Sequence, residues 1–149
     1  MSFTQCDVVF CSLDGKPVKT MEGYSVNVDM PLADVEKDQI RSFVLPGGGI
    51  SAVDTEEVWT FLKEQRQKGT LIAGICAGVD VLDHAGILKD ISSTHSTDLD
   101  IVNDSHVITA RANAYVDFAI ETAKELGLFS SQEDLEETID FWKYYHRVQ

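Results

Sequence analysis

The chain has 149 residues, of which 44% are hydrophobic and 25% are charged. These values are typical of a soluble protein with one globular domain over residues 1–149, and they exclude disordered and fibrous classes. Its 12 basic and 25 acidic residues give a formal charge of −13. This charge disfavours nucleic acid and anionic membranes as partners, because both attract proteins of the opposite sign.

Targeting and redox features favour the cytoplasm. No apolar run approaches the roughly 20 residues of a membrane span, and the N-terminal residues lack the basic and apolar regions of a secretory signal. Three cysteines, an odd number, argue against a disulfide framework and for a reducing compartment. We therefore expect a cytoplasmic protein.

The first third of the chain predicts short strands and connections. Residues 6–12 are β-rich and mostly apolar, and residues 25–29 alternate in polarity as in a half-exposed strand. Residues 31–38 predict a short helical or irregular connection. Residues 42–45 form a continuous apolar run that Pro46 ends, which is typical of a buried strand.

Helical and strand patterns alternate in the rest of the chain. Asp54 and Glu57 have the spacing of a capping box, which predicts the start of a helix that Gly69 ends. Residues 92–100 are polar and predict a loop. The other predicted elements are strands at residues 71–75 and 106–110 and helices at residues 77–85, 114–126 and 131–147.

This alternation predicts the fold class. Apolar strands separated by helices favour parallel βαβ units, and hence an α/β fold: a three-layer α/β/α sandwich with a mostly parallel, flavodoxin-like sheet. Ligands bind such sheets beyond the carboxyl ends of the strands. Residues 46–49, 76–78 and 111–113 lie at three such ends, so we expect them to converge.

The most informative motif is Gly-Ile-Cys-Ala-Gly at residues 74–78. A buried strand followed by G-x-C-x-G and a helix is the cysteine version of a nucleophile elbow. The Cys76 thiol would point into the crevice above a helix N-terminus, where N–H groups and the helix dipole favour the thiolate. The N–H of Ala77 would face an oxyanion. The alternative is a small packing cysteine at a tight junction.

The residues around this motif resemble the ThiJ/PfpI superfamily. The resemblance rests on residues 73–78, residues 81–86, Thr94 and His95, and it extends over about residues 6–126. The superfamily includes the parkinsonism-associated protein deglycase and bacterial intracellular protease/amidase-like proteins. The resemblance implies a class I glutamine amidotransferase-like fold. Further matches lie at residues 12–18, 44–48, 107–112 and 118–119.

The resemblance also implies roles for individual residues. Cys76 matches the reactive cysteine, and Gly48 and Ala77 match positions whose N–H groups face the reacting oxygen. His95 matches a histidine near the cysteine, which would accept the thiol proton or orient substrate. The alternative for His95 is a surface-loop histidine.

Three features depart from the superfamily pattern. Its first β-α unit and the glutamate that this unit supplies have no match, and nothing before Cys6 resembles them. A shortened form of a longer product, a partner chain and a rearranged N-terminus all remain open as explanations. Ala77 stands where the proteolytic branch carries histidine. Glutamine amidotransferases carry a C-terminal His-x-Glu motif, whereas His146 is followed by Arg147 and Val148.

Three functions therefore compete. The first is a cofactor-free cysteine hydrolase or deglycase-like enzyme that acts on a small electrophilic carbonyl or amide. The second is a redox-sensing stress protein that works through oxidation of Cys76, and the third is a catalytically degenerate binding protein. No zinc-ligand spacing, P-loop or dinucleotide fingerprint is present, so neither metal nor cofactor is predicted.

The last predicted helix carries four aromatic residues that do not fit one face. A partly exposed aromatic stripe indicates a self-association surface or a cover for the core, and we expect a homodimer. The four residues are Phe141, Trp142, Tyr144 and Tyr145.

Overall fold

The computed structural model describes residues 6–147, which form eight short strands and four α-helices. The expectation that no family-like unit precedes Cys6 concerns residues 1–5, which lie outside this range. The strands are β1 (Cys11–Ser12), β2 (Val18–Lys19), β3 (Ser25–Val26), β4 (Met30–Pro31), β5 (Ser42–Leu45), β6 (Leu71–Ile75), β7 (Ile101–Asp104) and β8 (Val107–Ala110). The helices are α1 (Glu56–Gln67), α2 (Ala77–His84), α3 (Tyr115–Glu125) and α4 (Gln132–Tyr144).

The centre of the fold is a four-stranded sheet in the order β5-β6-β8-β7. Strands β5, β6 and β8 are parallel, and β7 runs antiparallel to β8. Alternate residues of β6 enter two different cores: Ile72 packs with α1 and α2, whereas Leu71 and Ala73 pack with α3. Because each face of the sheet is covered by helices, the predicted three-layer α/β/α fold is confirmed.

The N-terminal strands are shorter than predicted. The expected strand at residues 6–12 is reduced to β1, which pairs with β4, and the one at residues 25–29 is reduced to β3, which pairs with β2. Within the described range, residues 7–10 belong to no strand, and the Phe10 N–H donates to Asp29 Oδ2 at 2.8 Å instead. An apolar run forms a strand only where a neighbour satisfies its backbone groups.

Strand β5 lies at the edge of the main sheet, although its apolar run predicted a buried strand. In the described part of the chain it pairs with β6 alone, and Val44 is 46% exposed while Leu45 is 5% exposed. A short apolar run does not distinguish an edge strand from a central one. Strand β7 was not predicted from the sequence.

Helix α1 begins one residue later than the capping-box spacing suggests. Thr55 is the N-cap and its side chain accepts from the Val58 N–H. The Asp54 carboxylate instead accepts from Trp59 Nε1 and lies 2.8 Å from His84 Nδ1 at the end of α2. Asp54 therefore ties two helices together rather than capping one.

Helix α4 lies on α3 and contains no fully buried residue. Lys143 Nζ is 2.6 Å from Asp117 Oδ1, which joins the end of α4 to the start of α3. The aromatic residues at its end are exposed, Trp142 by 60% and Tyr145 by 84%. No helix among residues 6–147 is long and apolar enough to cross a membrane.

Two glycines let β5, β6 and α2 approach at backbone distance. A Cβ on Gly78 would lie 2.3 Å from the carbonyl oxygen of Leu45, and a Cβ on Gly74 would lie 2.7 Å from Leu82 Cδ1. Both separations are shorter than carbon and oxygen atoms tolerate. The first turn of α2 therefore rests directly on the end of β5.

We expect Gly78→Ala to lower the free energy of unfolding by about 2 kcal/mol or more, since the new methyl group overpacks the contact with Leu45. Helix propensity alone predicts the opposite, a gain of about 0.5–1 kcal/mol for alanine. Urea unfolding measures the change, with Gly49→Ala as control because its Cβ would meet no atom within 4 Å. A Gly78→Ala protein as stable as the wild type contradicts the expectation.

Acid should weaken the link between α1 and α2 that Asp54 makes through its hydrogen bonds with Trp59 and His84. Burial on its own would raise the pKa of this carboxyl, but the hydrogen bonds from His84 and Trp59 outweigh it and hold the pKa below the usual range. The link therefore stabilises the fold above the unfolded pKa of about 3.9, and this stabilisation is lost as pH falls through the folded pKa. We expect the stability difference between wild type and Asp54→Asn, measured by urea unfolding, to shrink from pH 6 to pH 3. A difference that stays constant contradicts the assignment.

Candidate active site

Cys76 occupies the bend between β6 and α2. It is the N-cap of α2, with φ 55° and ψ −129°, a left-handed conformation that is costly for a residue with a side chain. Its N–H donates to the Ala110 carbonyl oxygen at 2.9 Å, and its own carbonyl accepts from the Val79 N–H. The residue is exposed. These features agree with the nucleophile elbow that the sequence predicts.

The glycine turn after β5 packs against this cysteine. A Cβ on Gly47 would lie 2.7 Å from Cys76 Cβ and 3.1 Å from its Sγ, so only glycine fits at this position. Gly48 has φ 120°, a conformation that L side chains rarely adopt. Since Cys76 also binds Ala110, directly before Arg111, the three expected strand ends do converge.

Two backbone N–H groups near Cys76 were predicted to receive an oxyanion. Ala77 is the first residue of α2, so its N–H has no acceptor within the helix. Gly48 belongs to the turn whose Gly47 touches Cys76. The structure places both residues beside the cysteine, and their oxyanion role stays a prediction.

His95 lies against the helix that begins after Cys76. Its Nδ1 is 3.0 Å from Asp83 Oδ2, and its Nε2 is 3.3 Å from Asp80 Oδ1. An ionised carboxylate only accepts hydrogen bonds, so a ring nitrogen that carries a proton donates to the carboxylate that it faces. The hydrogen bonds among residues 6–147 include none between His95 and Cys76, so a proton-transfer role for His95 stays a prediction.

The loop that carries His95 is fixed by its hydroxyl-bearing residues. The Thr94 N–H donates to Thr109 Oγ1 on β8 at 3.0 Å, and both residues are buried. Ser93 Oγ accepts from the His95 N–H at 3.2 Å. The backbone on either side of His95 is therefore attached to the sheet and to its own loop.

Other charged residues near this edge pair with one another. Arg111 Nη2 is 3.4 Å from Asp98 Oδ1, and its Nε is 3.8 Å from Asp100 Oδ1. Asp104, at the opposite edge where it pairs with Val107 at the start of β8, accepts from the Ser92 N–H. Asp98 and Asp100 thus bind Arg111, whereas the carboxylates at His95 come from α2.

Sequence reasoning missed Gly47, Asp80 and Asp83. A signal for the two aspartates was present, because positions 76, 80 and 83 recur at helical spacing and lie on one face of α2. Their meeting with His95 depends on how the loop folds back, which periodicity does not reveal. Gly47 entered the prediction only as part of the strand end at residues 46–49.

Cys76 differs from Cys11 in its surroundings. Cys11 packs against the core beside α1 and α2, and burial raises the pKa of its thiol. Cys76 is exposed at the carboxyl edge of the sheet. Exposure and a helix N-terminus are the conditions that make a cysteine reactive.

A cavity of about 540 Å³ lies at the opposite, amino edge of the sheet, where Arg41, Thr70 and His106 precede β5, β6 and β8. Arg41 donates to the Leu126 carbonyl oxygen, and His106 Nδ1 is 2.7 Å from Glu125. Its lining includes no cysteine or serine.

Among residues 6–147, no group of three or more His, Cys, Asp or Glu side chains is placed to hold a metal ion. The candidate site is therefore the bend at Cys76.

We expect Gly47→Ala to slow the reaction of Cys76 with a disulfide reagent by roughly tenfold or more, since its methyl group must displace the thiol or the turn. The rates are measured with Cys6 and Cys11 both replaced by alanine. The matched control is Gly49→Ala, two residues further along the turn and free of contacts. Equal rates in both variants contradict the account.

Sequence comparison places this site among known proteins. The DJ-1/PfpI family model matches residues 2–125. The chain is 31% identical over 90 residues to a deglycase of Thermococcus kodakarensis, a match that covers 59% of this chain and about half, 54%, of that protein. It is 33% identical over 131 residues to the DJ-1beta protein of Drosophila melanogaster, covering 75% of this chain and 70% of that protein.

Comparison of folds agrees with the sequence match. A DJ-1 superfamily protein of Agrobacterium tumefaciens has a TM-score of 0.79 and 29% identity, covering 93% of this chain and 83% of that one. Drosophila DJ-1beta has a TM-score of 0.69 and 28% identity, covering 85% and 76%. The family match spans most of the chain and includes the Cys76 elbow. The chain therefore belongs to the DJ-1/PfpI family.

Proposed function

We propose that this chain is a cysteine enzyme that acts, without a cofactor, on a small molecule with an electrophilic carbonyl or amide. The observation that carries the proposal is the exposed Cys76 at the strained N-cap of α2. Relatives named deglycase and glutathione-independent glyoxalase support carbonyl chemistry.

The reaction step follows from the groups around the thiol. With an aldehyde, the Cys76 thiolate attacks the carbonyl carbon, a C–S bond forms, and the C=O π electrons move to oxygen. The N–H groups of Gly48 and Ala77 donate to that oxygen. The proton lost by the thiol returns to the oxygen through His95 or solvent, which gives a neutral hemithioacetal.

The Asp83–His95 pair supports acid–base chemistry at this edge. A carboxylate that accepts a hydrogen bond from an imidazole fixes the orientation of the ring. Helix α2 carries Asp83 and starts directly after Cys76. The histidine and the thiol are therefore positioned by one rigid element.

Oxidation sensing is a second candidate, because the exposure of Cys76 admits peroxide as well as substrate. Peroxide converts a cysteine thiolate to sulfenic acid and then to sulfinic acid. Ready oxidation of Cys76 without any turnover of aldehydes favours this function. A Cys76 that neither oxidises nor supports turnover favours the third function, a catalytically degenerate binding protein.

The predicted homodimer and the cytoplasmic location also remain proposals. The exposed aromatic residues at the end of α4 support self-association, since such a cluster is unusual on a monomer. The net charge of −13 supports a small molecule rather than nucleic acid as the ligand.

We expect the wild-type protein to consume methylglyoxal and Cys76→Ala to lose this activity, because the proposed C–S bond forms at the Cys76 thiol. Turnover is followed by the disappearance of the dicarbonyl. The control is Cys11→Ala, which removes a thiol that packs against the core and should keep the wild-type rate. Turnover that survives in Cys76→Ala contradicts the proposal.

A further inference from the structure

Two carboxylates on α2, the helix that begins after the proposed nucleophile, converge on one imidazole. Asp80 and Asp83 follow Cys76 by four and seven residues, so the three positions lie on one face of α2. Asp83 Oδ2 lies 3.0 Å from His95 Nδ1, and Asp80 Oδ1 lies 3.3 Å from His95 Nε2. The imidazole ring therefore lies against the face of α2 that positions 76, 80 and 83 share.

This pairing is the reason for the position of His95. Its side chain is 36% exposed, and those of Asp80 and Asp83 are 47% and 57% exposed, so packing alone does not fix them. Within residues 6–147, the hydrogen bonds and ion pairs of both carboxylates lead to His95 and to no other cation.

The backbone beside His95 is held independently. Buried Thr109 on β8 accepts from the Thr94 N–H at 3.0 Å. This bond brings the loop to the sheet, and the carboxylates then select the direction of the imidazole. Loss of a carboxylate should thus release the ring while the loop stays in place.

The carboxylates also act on Cys76 through their charge. Asp80 lies in the first turn of α2, where its negative charge opposes a thiolate at the N-cap. Hydrogen bonds to His95 draw part of the negative charge of Asp80 and Asp83 towards the imidazole, so the carboxylates oppose the thiolate less. The net effect of each aspartate therefore depends on whether His95 is present.

Resting on the function proposed above, we propose that Asp80 and Asp83 are positioning residues that hold His95 against the face of α2 that continues from Cys76, and that they thereby raise the reactivity of its thiol. The carboxylates act through the imidazole and do not touch substrate. Without His95 they lower the reactivity of the thiol, because only their negative charge remains.

A double-mutant cycle tests this assignment. The readout is the rate of Cys76 alkylation by iodoacetamide, with Cys6 and Cys11 replaced by alanine. We expect Asp83→Asn to slow alkylation by roughly two- to tenfold when His95 is present, which is the lower part of the roughly two- to 150-fold range of couplings between contacting residues. In the His95→Gln background, Asp83→Asn should leave the rate unchanged or raise it. Asp80→Asn should show the same dependence on background.

The matched control is Asp54→Asn, which removes the carboxylate that pairs with His84 at the far end of the same helix. It should leave the alkylation rate unchanged in both backgrounds. Thermal unfolding of every variant identifies any that loses its fold. An equal decrease in both backgrounds, or no decrease in either, overturns the proposal. Because the readout needs no turnover, it is independent of whether methylglyoxal is a substrate.

Discussion

The candidate site depends on backbone contact where the end of β5 meets the bend between β6 and α2. A Cβ on Gly78 would lie 2.3 Å from the Leu45 carbonyl oxygen, and a Cβ on Gly47 would lie 2.7 Å from Cys76 Cβ. The absence of both side chains brings the glycine turn, the thiol and the first turn of α2 together. The left-handed conformation of Cys76 is maintained by this packing, because such strain persists only where surrounding structure imposes it.

Two electrostatic effects at the same bend, the N–H groups of α2 and the charge of Asp80, oppose one another. The start of α2 presents unpaired N–H groups that favour negative charge at Cys76. Asp80 adds negative charge in that first turn, and His95 lies against it at 3.3 Å. In the proposed site, the imidazole therefore acts on Cys76 through its hydrogen bonds to these carboxylates.

Much of this arrangement could be predicted from the sequence. The apolar strand, the G-x-C-x-G spacing and the following helix act within a few residues of one another, so residues 71–85 indicated both the bend and the thiol. The alternation of strands and helices likewise predicted the three layers. These features are local, or they follow from the handedness rules of parallel sheets.

Other features depend on neighbours that are distant in sequence. Residues 6–12 form an apolar run, yet most of them have no neighbouring strand among the described residues. The apolar pattern by itself does not reveal this. Asp54 has the spacing of a cap, yet His84, thirty residues away, takes its carboxylate while Thr55 caps α1. His95 contacts α2 because its loop folds back onto that helix. The periodicity of the sequence does not show where this loop packs.

The most direct measurement of the central claim is competitive labelling of the native protein. A limiting amount of iodoacetamide is added at neutral pH, and peptide mass spectrometry then locates the modified cysteines. The account predicts that Cys76 is modified well before Cys11, since it is exposed at a helix N-terminus while burial raises the pKa of the Cys11 thiol. Modification of Cys11 at the same rate as Cys76, or a Cys76 that reacts only after denaturation, would contradict it.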